Sequence, residues 1–180
     1  CIGMPPPEEF QSYQDSGFRP DKIPVHDELL KLGDLRIQTI HTPGHASNHF
    51  CYLDAETGTL FSGDHINQGA TVVIPPPDGS MQCYLNSLKL LRNYPIRAIA
   101  PGHGQMITEP TRAIDSLLRH RLQREKKILR LLRALTISEA IATSDLLLKV
   151  YDDVPTRMHP IAEHSLLAHL WKLKIDGLVK

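Results

Sequence analysis

Cysteine is scarce. The 180 residues contain three, Cys1, Cys51 and Cys83, with no C-x-x-C pair. An odd, scattered set points away from a disulfide framework and from a zinc finger, and it suits a reducing, cytoplasmic setting. No apolar run approaches the ~18 residues of a membrane span, so no membrane role is expected. No basic-then-apolar leader opens the chain. It starts "CIGMPPPEEF", on Cys1 and not Met, as a processed or trimmed product would. Net charge is zero overall, but not locally. Residues 1–109 carry 7 Lys+Arg against 12 Asp+Glu, and residues 110–180 carry 13 against 8. That reversal divides the chain into two expected units, 1–109 and 110–180. A hydrophobic content of 41% is enough for a core.

The first unit reads as short strands with one helix. "KIPVHDELLKL", "LRIQTIH", "HFCYLDA" and "GTLFSGD" are strand-like runs separated by the turn signals "LGDL", "TPGH" and "AETGT". A Pro-rich start carries at most a short helix around Glu8–Gln14. "GATVVIPPPDGSM" reads as a strand entering a rigid proline loop. "MQCYLNSLKLLRNY" has a helical period, and "IRAIAPGHGQ" is a buried strand running into a Gly-flanked turn. The second unit is helical. Pro110–Leu135 is a long amphipathic helix with Ile114, Leu117, Leu118, Leu122, Ile128, Leu129 and Leu132 near one face. A helix over Ser138–Tyr151, capped by Ser138, precedes a third that ends at Gly177 and leads into a short strand. That order resembles a winged-helix module.

Three Gly-containing turns, "TPGHAS", "FSGDHI" and "APGHGQ", each follow a strand-like run and each present a metal-ligand type: His45, Asp64 and His103. Strand ends that converge at one sheet edge are a common way to assemble a site. Two imidazoles and a carboxylate suit Zn²⁺, Fe²⁺ or Mn²⁺, and three protein ligands plus a water are the count of a hydrolytic zinc site. His45 and His49 lie four apart around a turn. In an extended chain that spacing separates them by roughly 13 Å, so one first-sphere ligand is expected from the pair, and His45 is the better placed. His49 is then a hydrogen-bonding neighbour or a structural histidine, and His65 a pocket or structural residue.

"HTPGHASNH", "LFSGDHI" and "APGHG", in this order, resemble the second half of the metallo-β-lactamase superfamily. "GATVVIPPPDGSMQCYLNSL" and "AEHSLLAHLWKLKIDGLVK" are similar to its beta-lactamase-like-2 branch with a C-terminal winged helix. The resemblance runs from about Pro20 to the end. It implies an α/β fold, part of a four-layer αββα sandwich with two metal ions at one edge, zinc first with Fe or Mn as alternatives. It also implies that His45 binds one metal, that His103 binds the other, and that Asp64 bridges both and holds the hydroxide. The implied activity is attack of that hydroxide on an ester, a thioester (hydroxyacylglutathione-like) or a phosphodiester. The family's upstream H-x-H-x-D-H motif is not in this sequence; His26 and Asp27 stand alone. The chain therefore resembles the C-terminal half to two-thirds of such an enzyme. By itself it is expected to be inactive and to expose an apolar sheet face that favours a homodimer. A small-molecule ester or thioester is the expected substrate, with RNA as a further partner class.

Other residues read more plainly. Cys51 is a small core residue and not a nucleophile. Arg119, Arg121, Arg124, Lys126, Lys127, Arg130 and Arg133 read as a solvated helix face. The alternative function is a non-catalytic module that binds nucleic acid or a protein partner through this basic region. His159, His164 and His169 recur every five residues, which is not one helix face, so they do not share a metal. His169 reads as structural and Trp171 as core. A self-contained mononuclear site from His45, Asp64 and His103 is a third option.

Overall fold

A computed structural model gives the structure of the chain and describes residue 17, residues 19–135 and residues 140–179. The expected α/β architecture with a helical tail is what it contains. Strands β1 (Leu29–Leu32), β2 (Leu35–His41), β3 (Phe50–Asp54) and β4 (Thr59–Gly63) are followed by helix α1 (Met81–Leu91) and strand β5 (Ala98–Pro101). The tail is α2 (Pro110–Arg133), α3 (Thr143–Val150), a 3₁₀ turn at Thr156–Met158, and α4 (His159–Ile175). The helix expected over Glu8–Gln14 and the cap expected at Ser138 lie outside the described residues.

The five strands form one sheet in the order β1-β2-β3-β4-β5. Pairing is antiparallel through β4, and β4–β5 is parallel. Side chains alternate across a pleated strand, so register sorts them by face. Ile40 pairs with Cys51, Leu53 with Leu60, and Leu60 with Ile99. These five residues are all buried, against Tyr84, Leu85, Leu88 and Leu91 of α1 and Ile114 and Leu118 of α2. Ser80 starts α1 by accepting the Cys83 N–H on its side chain, the usual repair of an unpaired first-turn donor. On the other face Tyr52 pairs with Phe61, and both are exposed.

A second core holds the tail together: Ile128 of α2 with Leu146, Leu147, Val150, Tyr151, Leu166 and Leu173. Helix α2 thus contributes to both cores. Arg124 is buried on it, forms a two-pronged pair with Asp153 at 2.7 and 2.9 Å, donates to the Val150 carbonyl and lies 4.4 Å from the Tyr151 ring centroid.

Several expectations need correction. Residues 69–80 are not a strand: they are loop, although Val72 and Ile74 are buried. The basic residues of α2 are not one solvated face, because Arg121 and Arg124 are 2% and 7% exposed. Their long aliphatic stems let a nominally polar position face the core. Leu122 is 40% exposed and Trp171 49% exposed, so neither is core. Leu178 and Val179 carry no strand. Cys51 is a free buried thiol, as expected of a small core residue, whereas Cys83 is disulfide-bonded, which the odd, scattered cysteine set did not point to.

His169 is structural, as expected, and fully buried. Its Nδ1 is 3.7 Å from Glu125 Oε2, too long for a hydrogen bond, and both atoms are unpaired. Lys172 satisfies the other Glu125 oxygen at 3.1 Å. Burial pushes the His169 pKa down to about 4, with Arg121 and Lys172 adding to the effect and Glu125 opposing it. A depressed histidine takes up a proton on unfolding between its unfolded and folded values. It therefore stabilises the fold above the ordinary histidine range, and that stability is lost as pH falls toward 4. The full effect is on the order of 3 kcal/mol. Burial raises the Glu125 carboxyl, but His169 and Lys172 together outweigh it and hold it low, so it contributes only at more acid pH. Urea unfolding as a function of pH should show His169→Leu losing about one proton of uptake in this window. An unchanged slope would reject the assignment. The remaining slope belongs to His49, His65 and His120, which burial also holds low.

Candidate metal centre

The three ligand-bearing turns meet at one edge for a topological reason. With β2 antiparallel to β3, β3 antiparallel to β4, and β4 parallel to β5, strands β2, β4 and β5 all point the same way. Their C-terminal ends emerge at a single edge. His45 follows β2, Asp64 follows β4, and His103 follows β5.

The turn carrying His45 is fixed from several sides. Gly44 sits so close to α1 that a Cβ there would lie 2.5 Å from Tyr84 Cα, which only glycine allows. The Ser80 N–H donates to the Gly44 carbonyl at 2.8 Å, the Ser87 hydroxyl to the Pro43 carbonyl at 2.8 Å, and the Ser47 N–H to Asp78 at 3.1 Å. His45 Nδ1 lies 2.7 Å from the Val73 carbonyl. A carbonyl only accepts, so Nδ1 carries the proton and Nε2 keeps its lone pair. That is the state a metal-binding imidazole requires.

Asp64 and His103 are in contact. His103 Nε2 is 3.3 Å from Asp64 Oδ1, with the side chains 77% and 44% exposed. Gly102 makes this possible: its N–H donates to the Gly63 carbonyl at 2.9 Å, and a Cβ there would meet that carbonyl at 3.0 Å and Asp64 Oδ1 at 3.3 Å. Asn67 ties the two turns further. Its amide donates to Asp64 Oδ1 at 3.4 Å, and its carbonyl accepts the His103 N–H at 3.2 Å. The Gln68 N–H donates to the His103 carbonyl at 3.1 Å. Among the described residues no three His, Cys, Asp or Glu side chains form a ready metal-holding group. The structure brings Asp64 and His103 together and places His45 at the same edge. The donor chemistry of the three residues fits a borderline cation: a carboxylate and two imidazoles, with the proton of His45 on the nitrogen turned to the protein.

His49 and His65 flank this edge. A Cβ at Gly63 would lie 3.1 Å from His49 Nε2, so the ring faces the end of β4. Burial lowers its pKa to about 4. A charge on His45 acts in the same direction and the Asp64 carboxylate against it. His65 is fully buried with both ring nitrogens unpaired, 5.5 Å from the His49 ring and 4.8 Å from the Tyr84 ring. Burial holds it well below the ordinary histidine range. Both rings are neutral at physiological pH. A donor chain fixes the His49 proton: Thr42 Oγ1 is 2.9 Å from His49 Nδ1, the Thr42 hydroxyl donates to Cys51 Sγ at 3.2 Å, and the thiol points to the Ser62 carbonyl at 3.7 Å. With its one proton given to sulfur, Thr42 accepts from Nδ1–H. Cys51 stays a thiol, pushed up to about 12 by burial. Asn67, Thr42, Tyr84 and the Val73 carbonyl carry no ligand chemistry of their own, and only the fold reveals their part.

Residues 2–103 match the family model described as metallo-beta-lactamase superfamily, and residues 143–180 match the beta-lactamase associated winged helix domain. The beta-lactamase-like protein 2 homolog of Drosophila melanogaster is 32% identical over 156 residues, covering 87% of this chain and 51% of that protein. The atrochrysone carboxyl ACP thioesterase of Aspergillus novofumigatus is 28% identical over 109 residues, covering 61% of this chain and 33% of that protein. A solved metallo-beta-lactamase family protein of Thermus thermophilus superposes with a TM-score of 0.71 at 23% identity, over 85% of this chain and 48% of that one, a likeness of fold. The chain spans about half the length of the curated relatives it matches.

Two outcomes test the local geometry. Cys51 should resist iodoacetamide in the native chain and react only under denaturing conditions, read by peptide mass mapping; labelling at the rate of a free thiol would contradict its burial. Gly44→Ala should destabilise the chain by about 2 kcal/mol, the scale of overpacking, in urea unfolding. A wild-type midpoint would show that the Tyr84 contact is not tight.

Proposed function

Since this chain belongs to the metallo-beta-lactamase superfamily, we propose that it supplies the Asp64 side of a metal-dependent hydrolase site, acting on a thioester or ester. The supporting observation is the Asp64–His103 contact at the sheet edge that also presents His45, whose protein-bound Nδ1–H leaves Nε2 free. His45 and His103 would hold the metal through ring nitrogens and Asp64 through its carboxylate. When bound, such an ion lowers the pKa of water and polarises the electrophile.

The chain's own residues do the rest. The Val73 carbonyl fixes the His45 ring, and Asn67 holds Asp64 and His103 in one frame. Neutral His49 and His65 line the inner side without adding positive charge that would compete with a cation. Cys51 offers no thiolate, so covalent catalysis by this residue is not part of the proposal. The thioester is favoured by the thioesterase relative and by the resemblance to hydroxyacylglutathione hydrolases. Nucleic-acid binding through α2 is the weaker reading, because Arg121 and Arg124 face inward and Lys127 is bound to Asp152.

In the natural protein that carries this chain, Asp64→Ala should lower bound metal and thioester turnover together, turnover by more than about 100-fold, beyond what loss of a residue behind the ligands costs. Elemental analysis and hydrolysis of matched S-acyl and O-acyl substrates read both effects. Full turnover by Asp64→Ala would sink the mechanism. Faster cleavage of the O-acyl substrate would shift the proposal to an esterase.

A further inference from the structure

Helix α2 carries a second buried arginine that the tail core does not explain. Arg124 has a carboxylate partner in Asp153. Arg121, three residues earlier and 2% exposed, has none among the described residues, and its Nε is unpaired. An unpaired buried charge is costly, and an apolar side chain of similar volume would be the cheaper core residue. Arg121 is also outside both matched segments, 2–103 and 143–180.

Its contacts lead to the metal edge by two routes. The guanidinium donates to the Val72 carbonyl, and the next carbonyl, Val73, is the one that holds His45 Nδ1 at 2.7 Å. The guanidinium also lies 5.4 Å from the Tyr84 ring centroid, a cation–π distance. Tyr84 donates its hydroxyl to the His65 carbonyl at 3.1 Å, directly after Asp64, and its Cα backs Gly44, directly before His45. Arg121 therefore touches the backbone beside one candidate ligand and the side chain that braces both turns.

We infer that Arg121 is a positioning residue of the metal centre: from helix α2 it clamps the Val72 carbonyl and the Tyr84 ring, and so sets the His45 tautomer and the placement of the Asp64 turn. The inference rests on the metal-site reading above. It predicts a property of the metal-free chain that a merely structural arginine would not control, namely which His45 nitrogen carries the proton.

The test is the His45 tautomer, read from ring ¹⁵N shifts by NMR at mildly alkaline pH, where imidazole is neutral. The wild-type chain should be in the Nδ1–H form. Arg121→Met should reduce the ratio of Nδ1–H to Nε2–H by about tenfold, the value of one good hydrogen bond, and Arg121→Lys should restore much of it. Arg124→Met, which removes an equally buried arginine from the same helix, should destabilise the fold and leave the tautomer unchanged. If the methionine variant does not fold, Arg121→Gln is read in its place. An Nε2–H wild type, an unchanged tautomer in folded Arg121→Met, or an equal effect of Arg124→Met would each overturn the assignment. A Co²⁺ titration of the natural protein that carries this chain, followed by absorbance, separates the two readings. Weaker Co²⁺ binding by Arg121→Met, by about 10–100-fold, supports both. No Co²⁺ binding by the wild type, together with a tautomer that responds to Arg121, overturns the metal reading and leaves the clamp on His45 standing.

Discussion

Leu60 pairs with Ile99 and Phe61 with Ala100 in parallel register, so β4 and β5 release the chain at the same edge of the sheet. Every feature of the candidate site depends on that direction. An antiparallel β5 would send His103 to the opposite edge, the length of the strand away from Asp64. Parallel neighbours need a long crossover, and the segment between β4 and β5 provides it. It contains the loop that presents the Val73 carbonyl and the helix that presents Tyr84. The connection that the topology requires is thus also the element that orients His45.

The chain buries several polar groups, each with a different solution to desolvation. Arg124 is neutralised by a carboxylate, Cys51 stays protonated, and His49 and His65 stay neutral. Glu125 keeps its charge because Lys172 reaches it, while His169 beside it gives its charge up. Arg121 is the exception. A guanidinium does not lose its proton in a protein, so its burial must be offset by the Val72 carbonyl and the Tyr84 ring.

Much of this was legible from the chain. The runs around Ile40, Cys51, Leu60 and Ile99 read as strand-like in the sequence, and they are strands with those residues inward. The turns with His45, Asp64 and His103 were marked by glycines that the fold uses for close approach at Gly44 and Gly102. What could not be read depended on contacts across the sequence. "GATVVI" has strand composition, but Val72 and Ile74 are buried as loop, with the Val72 carbonyl taken by Arg121, 49 positions away. Arg121 and Arg124 count as polar in any periodicity, so the inner face of α2 reads narrower than it is, while Leu122 falls outside it. Trp171 has the composition of a core residue, yet the α4 side facing the cores is already filled by Leu166, His169 and Leu173.

The neutral histidines complete the electrostatic argument. A cation at the sheet edge would be opposed by positive charge on His49, whose ring faces the end of β4. Burial alone would leave that ring free to choose a tautomer. The chain from Nδ1–H to Thr42, to the Cys51 sulfur and on to the Ser62 carbonyl favours one, because with the proton on Nδ1 every group in it both gives and receives a hydrogen bond in sequence. The unprotonated Nε2 is then the nitrogen turned toward Gly63. His45 reaches the same state by another route, through the Val73 carbonyl. Both rings thus turn Nδ1 to the protein, His45 to the Val73 carbonyl and His49 to Thr42. Rings held in this way spend less orientation free energy when a positive charge arrives.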